Sequence, residues 1–274
     1  MVAITQETSE AFPLGLRDVI PVEIHAHATD AHDAMLRVEP HLAAAGLGHV
    51  VPFNNIYREL TGRVVETIGL DSSDPRAFRY PDVVDRTVGI FADYYFKQLR
   101  AYTGLTDEKI DPAWQYLLYP DGADYGESEI RPHAERAESK ETPKGIQFLL
   151  GMNAHINYDL AQALRDSKVE ETYYQDYRRV IGMLIGITAR ELASAYVPGP
   201  EWSRWAAVRT TVATIAHWRE KAWRSGKRLM GAEDVLASQG IMDCLDRNSV
   251  RTGRRIATLG SAALTGISRL PSRE

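Results

Sequence analysis

Cysteine is almost missing from this chain. Of 274 residues only Cys244 carries a thiol. No internal disulfide can form, and a reducing, cytoplasmic setting fits best. Asp243, Asp246 and Arg247 flank the thiol but no histidine does, so Cys244 reads as a small core residue rather than a nucleophile. Long apolar runs are missing too. No stretch approaches the roughly 18 apolar residues of a membrane span. The first residues lack the basic segment and apolar stretch of a secretory leader. A basic surplus is also lacking, with 32 Lys and Arg against 37 Asp and Glu and a formal charge of −5. Nucleic-acid binders usually show the opposite balance, so none is expected as a partner. There is no G-x-S-x-G turn, no G-x-G-x-x-G and no phosphate-cradling loop ending in G-K-[ST], so no cofactor is implied. Neither strand-like alternation between turn signals nor an internal repeat occurs.

What is present is ordinary for a globular protein, 44% hydrophobic and 25% charged, and long enough for a sizeable core. Apolar residues recur at helical spacing. Ile56, Leu60, Val64 and Ile68 mark a helix over 52–68. Val83, Val84, Val88, Phe91, Tyr95 and Leu99 mark a longer one over 79–102. Asp111-Pro112 opens a short helix carrying Trp114. Further helices are expected over 30–45 with a kink at Pro40, over 170–196, over 201–225, and over 232–259 with a break at Gly240. Gly182 and Gly186 suggest a close helix contact. The expected fold is all-α, a single domain of about seven or eight helices. Residues 1–28 are expected to form an extended arm, 29–262 the helical domain and 263–274 a tail. Residues 119–141, polar and rich in Gly, Pro and acid, form either a lid over a site or a solvated connector.

The helix expected over 143–166 is the centre of this reading. Pro143 suits a first helical position and Thr142 a cap. Leu149, Met152, Ile156, Leu160, Ala163 and Leu164 share one broad face. Most of its remaining surface is apolar as well, so it belongs inside the protein. Yet it carries Gln147, Asn153, His155, Asn157, Asp159 and Gln162. A buried amide or imidazole without a partner costs a few kcal/mol. These groups therefore need an organised polar network, and that network is the candidate site.

The same residues carry a resemblance. M-N-A-H-I-N-Y-D-L (152–160) resembles the hallmark of a bacterial domain-of-unknown-function family in which M-N-A-H-I-N-x-D-L recurs. V-P-F-N-N-I-Y-R-E-L-T (51–61), F-A-D-Y-Y-F (91–96) and D-P-A-W (111–114) are similar to weaker blocks upstream, over about Val51 to Val197 with a looser tail. The resemblance implies a helical domain and brings no chemistry with it.

His155 and Asp159, four apart, share a helix face. Three uses of such a pair remain open. Asp159 orients His155 as a general acid or base, or both bind a metal, or both belong to a structural hydrogen-bond network. A metal would need further ligands, and Asp93, His25, His27 and Glu191 are the candidates. The repeated Glu-x-x-His pattern of di-iron helices is absent, and no metal is expected. Asn153, Asn157, Gln147, Asn54, Tyr57, Asp93 and Tyr94 are candidate substrate-binding residues, since amides can hold a carbonyl or enolate. The leading expectation is a cofactor-independent isomerase, lyase or cyclase acting on a small, largely apolar molecule. A metal-dependent hydrolase and a non-catalytic binding or scaffold protein are the alternatives. The Trp-rich 201–223 helix could offer an apolar face to a second copy of the chain.

Overall fold

The rows of apolar residues at helical spacing become buried faces. The structure, a computed structural model, describes residues 14–23, 27–119, 143–191 and 201–267. Among the described residues there is no strand, and nine helices build a single all-α domain. These are α1 (Leu14–Val19), α2 (Ala28–Ala44), α3 (Val51–Ile68), α4 (Pro81–Tyr102) and α5 (Pro112–Leu118). Then come α6, which joins Lys144–Ala154, His155–Asp159 and Leu160–Asp166 end to end, α7 (Tyr174–Glu191), α8 (Glu201–Met230) and α9 (Val235–Ile267). No helix among the described residues is long and apolar enough to cross a membrane.

Local chemistry sets several helix ends. Pro52, Pro81 and Pro112 occupy first turns, where a missing N–H costs nothing. Across the fold, Asp85 of α4 accepts from the Ala28 backbone N–H and bonds His27, both at 2.7 Å, and so caps α2. Buried Asp176 accepts from the Arg79 and Tyr80 backbone N–H groups just ahead of α4. Gly46 and Gly104 end α2 and α4 with φ of 75° and 66°, values that favour glycine.

Helix α6 lies at the centre, packed against α3, α4, α5, α8 and α9. From Leu150 to Leu164 every residue but Gln162 is buried. One feature was not expected. His155–Asp159 has π-helical geometry, one wide turn set between two α-helical segments. A π turn shifts the helix register and often marks a functional site. Leu149, expected on the core face, is only half-buried, whereas Phe148 is fully buried.

Other expectations need correction. Leu14–Val19, inside the stretch expected to be extended, is helical, and Leu16 and Ile20 enter the core. Helix α9 passes through Gly240 unbroken and runs beyond residue 262. An isolated glycine costs a helix only about 1 kcal/mol, too little to break one that packs well. Gly182 and Gly186 face open space, not a neighbouring helix. Cys244 is exposed rather than in the core, and its Sγ accepts from the Asn248 amide. Arg247, Arg251, Arg254 and Arg255 form a solvated basic face on α9. Most of the expected lid, 120–141, lies outside the described residues, as do His25 and Thr142.

Candidate functional site

The wide turn of α6 places His155 and Asp159 in contact. His155 Nδ1 lies 3.1 Å from Asp159 Oδ2, and the side chains are 2% and 0% exposed. Trp114 of α5 donates its indole N–H to the same oxygen at 2.9 Å. The result is a fixed Trp114–Asp159–His155 chain. The hydrogen between Nδ1 and Oδ2 can reside on either atom, and Nε2 takes the complementary role, accepting in the first case and donating in the second. Nε2 is buried and has no partner among the described residues, and neither has Asp159 Oδ1.

Aromatic rings enclose the imidazole. Phe91 stacks on it at 3.5 Å with the planes 6° apart. Tyr57 meets it at 4.6 Å, Phe53 at 5.5 Å and Trp114 at 5.8 Å. This low-dielectric box disfavours charge on both members of the pair. Burial, assisted by the positive charge of Arg219, pushes the His155 pKa well below its ordinary value. Burial, assisted by Asp111, pushes Asp159 well above the usual carboxylate range, with Trp114 and Lys97 opposing. Burial and then the Asp159 charge raise Tyr57, so its hydroxyl keeps its proton.

Beside this box lies a cavity of about 60 Å³ between α3, α4, α6, α7 and α8. Tyr57 and Phe91, which touch the imidazole, are also walls of the cavity. Leu60, Val64, Val84, Val88, Leu164 and Val180 make most of the remaining surface apolar. Tyr173 and Tyr177 also line it.

The other expected site residues separate into those the fold brings to the box and those it does not. Asn153 donates to the Ser249 carbonyl at 2.8 Å, Asn157 donates to Asn153 at 3.2 Å, and Lys221 donates to Asn157 at 3.2 Å. This chain of amides joins α8 and α9 to α6, so both asparagines spend their hydrogen bonds on protein partners. Asn54 accepts from Tyr95 at 3.2 Å and donates to the Met35 carbonyl. Gln147 is buried near the start of α6. Asp93 is elsewhere, paired with Arg100 at 3.0 Å. Tyr94 is also elsewhere, donating to Asp166 at 2.6 Å. Sequence reasoning missed Trp114 as a polar partner, and it missed Arg219. The signal for Arg219 was its place at the spacing of Ile215 and Trp223, a charge on the apolar stripe of α8.

No group of three or more His, Cys, Asp or Glu that could hold a metal ion occurs among the described residues. Of the extra ligands considered, Asp93 is held by Arg100 and His27 by Asp85.

Residues 131–259 match a family described as a family of unknown function (DUF5995). The match includes all of α6 and most of α9. The blocks at 51–61, 91–96 and 111–114 fall outside it, and the stretch beyond Val197 falls inside as far as residue 259. No curated protein and no solved structure matches the chain.

Proposed function

We propose that this protein is a cofactor-independent acid–base enzyme of the isomerase, lyase or cyclase type, acting on a small, largely apolar molecule in the cavity beside His155. The observation that carries the reading is the orphaned Nε2 of His155. Its other nitrogen is fixed by Asp159, which is fixed in turn by Trp114. A buried polar atom without a partner is uncommon, and a core built for packing alone would not retain one. An oriented imidazole with a free nitrogen and a carboxyl at its back is the arrangement general acid–base catalysis uses. The displaced pKa directions of both groups support the same reading.

The substrate sits against Tyr57 and Phe91, and when these rings part to open Nε2 to the cavity it exchanges a proton with Nε2, while the shared hydrogen moves between Nδ1 and Oδ2. Asn153 and Asn157 hold the helices around the site. M-N-A-H-I-N-Y-D-L is read as the hallmark of the matched family and the protein as bacterial and cytoplasmic, with a small molecule, not nucleic acid or membrane, as its partner.

Proton exchange at carbon tests this reading whatever the net reaction is. The protein is incubated in heavy water with a panel of small apolar aldehydes, ketones and carboxylic acids, and deuterium uptake at carbon is followed by NMR. At least one compound should gain deuterium, and His155→Gln should slow the uptake by about 100-fold or more. One observation favours a second reading, a non-catalytic binding protein: His155 itself is not a wall of the cavity. Compounds that bind but never exchange would select that reading.

A further inference from the structure

The cavity beside His155 carries a charge that has no counter-ion among the described residues. Arg219 is 4% exposed and lines the cavity. Among the described residues it forms no ion pair, and its Nε is buried without a hydrogen-bond partner. Its guanidinium lies over the Tyr177 ring at 4.8 Å, a cation–π contact that does not neutralise it. The Tyr177 hydroxyl donates to the Arg219 backbone carbonyl and also shares a hydrogen bond with the guanidinium, but it is a neutral partner and leaves the charge uncompensated. A second orphan shares the cavity. The Tyr57 hydroxyl is buried, has no partner among the described residues, and belongs to a residue 5% exposed.

We propose that this cavity binds a monocarboxylate with a slim apolar chain. The carboxylate is held by the Arg219 guanidinium and the Tyr57 hydroxyl, and the chain lies among Leu60, Val64, Val84 and Val88. This names the substrate class for the acid–base reading and rests on that reading's cavity. A guanidinium fork matches a carboxylate in shape, and a charge-assisted bond in a dry site is strong. The single cation sets the charge of the ligand, since a dianion would remain half-uncompensated. The apolar walls set its body. The enclosed volume is about 60 Å³, below the roughly 150 Å³ of an apolar cavity that holds benzene. The cavity therefore encloses the head and first carbons of the acid, and the rest of the chain leaves through its open side. A bound anion would also offset the Arg219 charge that depresses His155.

Calorimetric titration of the full chain tests this with hexanoate, hexan-1-ol and hexyl phosphate. Hexanoate should bind, and more tightly than either of the others. Arg219→Met should weaken hexanoate by about tenfold or more and leave hexan-1-ol unchanged. Tyr57→Phe should weaken hexanoate less. Arg219→Met should also keep or raise the thermal midpoint, because it removes an unpaired buried charge. Should it fail to fold, Arg219→Lys takes its place, with a cation retained but the fork lost and hexanoate weakened. No hexanoate binding by the wild type, equal binding of hexan-1-ol, tighter binding of hexyl phosphate, or indifference to both Arg219 variants would each overturn the assignment. The two proposals fail separately. His155→Gln should retain hexanoate binding while losing deuterium exchange, whereas Arg219→Met should weaken the binding itself.

Discussion

His155 and Asp159 are pushed in opposite directions by the same cause, and pH separates them. The folded pKa of His155 lies below its unfolded value near 6.5. Between those two values the unfolded chain binds more protons, so stability attributable to His155 is complete above about pH 6.5 and lost as pH falls. The folded pKa of Asp159 lies above its unfolded value near 3.8. There the folded chain binds more protons, so its share of stability is present at acid pH and lost as pH rises. In the wild type the two slopes oppose each other. Asp159→Asn removes one of them. Thermal midpoints measured from acid to neutral pH should therefore climb more steeply in the variant than in the wild type, up to about pH 6.5. Parallel curves would mean that the pair is not perturbed. The pairing of His155 with Asp159 was legible from their spacing in the sequence, because side chains four apart meet on any helix. The third member was not, because Trp114 comes from a different helix, 45 residues away in the chain, and reads as plain core.

At the scale of the helices, glycine separates contacts that matter from those that do not. A Cβ at Gly151 of α6 would come 2.5 Å from Phe53 Cγ, inside the aromatic box. Gly151→Ala should destabilise by about 1–3 kcal/mol through overpacking. Gly182 and Gly186 of α7 have nothing within 4 Å. Replacing each with alanine should stabilise by about 0.5–1 kcal/mol through helix propensity alone. Denaturant unfolding of the three variants checks both signs. The sequence offered the opposite guidance, since two glycines four apart look like a packing groove and a lone Gly151 looks like nothing. From α2 onward helix existence was legible because apolar spacing is a local property, whereas the six-residue α1 is too short to show a period. The wide turn at His155–Asp159 was not, because a uniform angle per residue cannot anticipate a change of register. For the same reason the spacing points Leu149 at the core and leaves Phe148 out of it.

Taken as a whole, the molecule surrounds one apolar helix with others and then leaves polar atoms unpaired in its middle. His155 Nε2, Asp159 Oδ1, Tyr57 Oη and Arg219 Nε are all buried without partners among the described residues. A fold selected for stability alone would have removed them, since each unmet group costs about 1–3 kcal/mol. Their persistence side by side is the argument for function. That the central helix would be buried and would need a polar network was legible from its composition. Which polar groups would remain unmet was not, because that depends on what the surrounding helices bring to it. The unfolding free energy of Asp159→Asn at neutral pH, against the wild type, is the most direct measure of the central claim. Asparagine keeps the shape and can still accept from Trp114, and it removes a carboxyl that burial disfavours. A working site predicts a free energy equal to or above that of the wild type. A loss of about 1–3 kcal/mol would show that the pair holds the fold together, and would contradict the account.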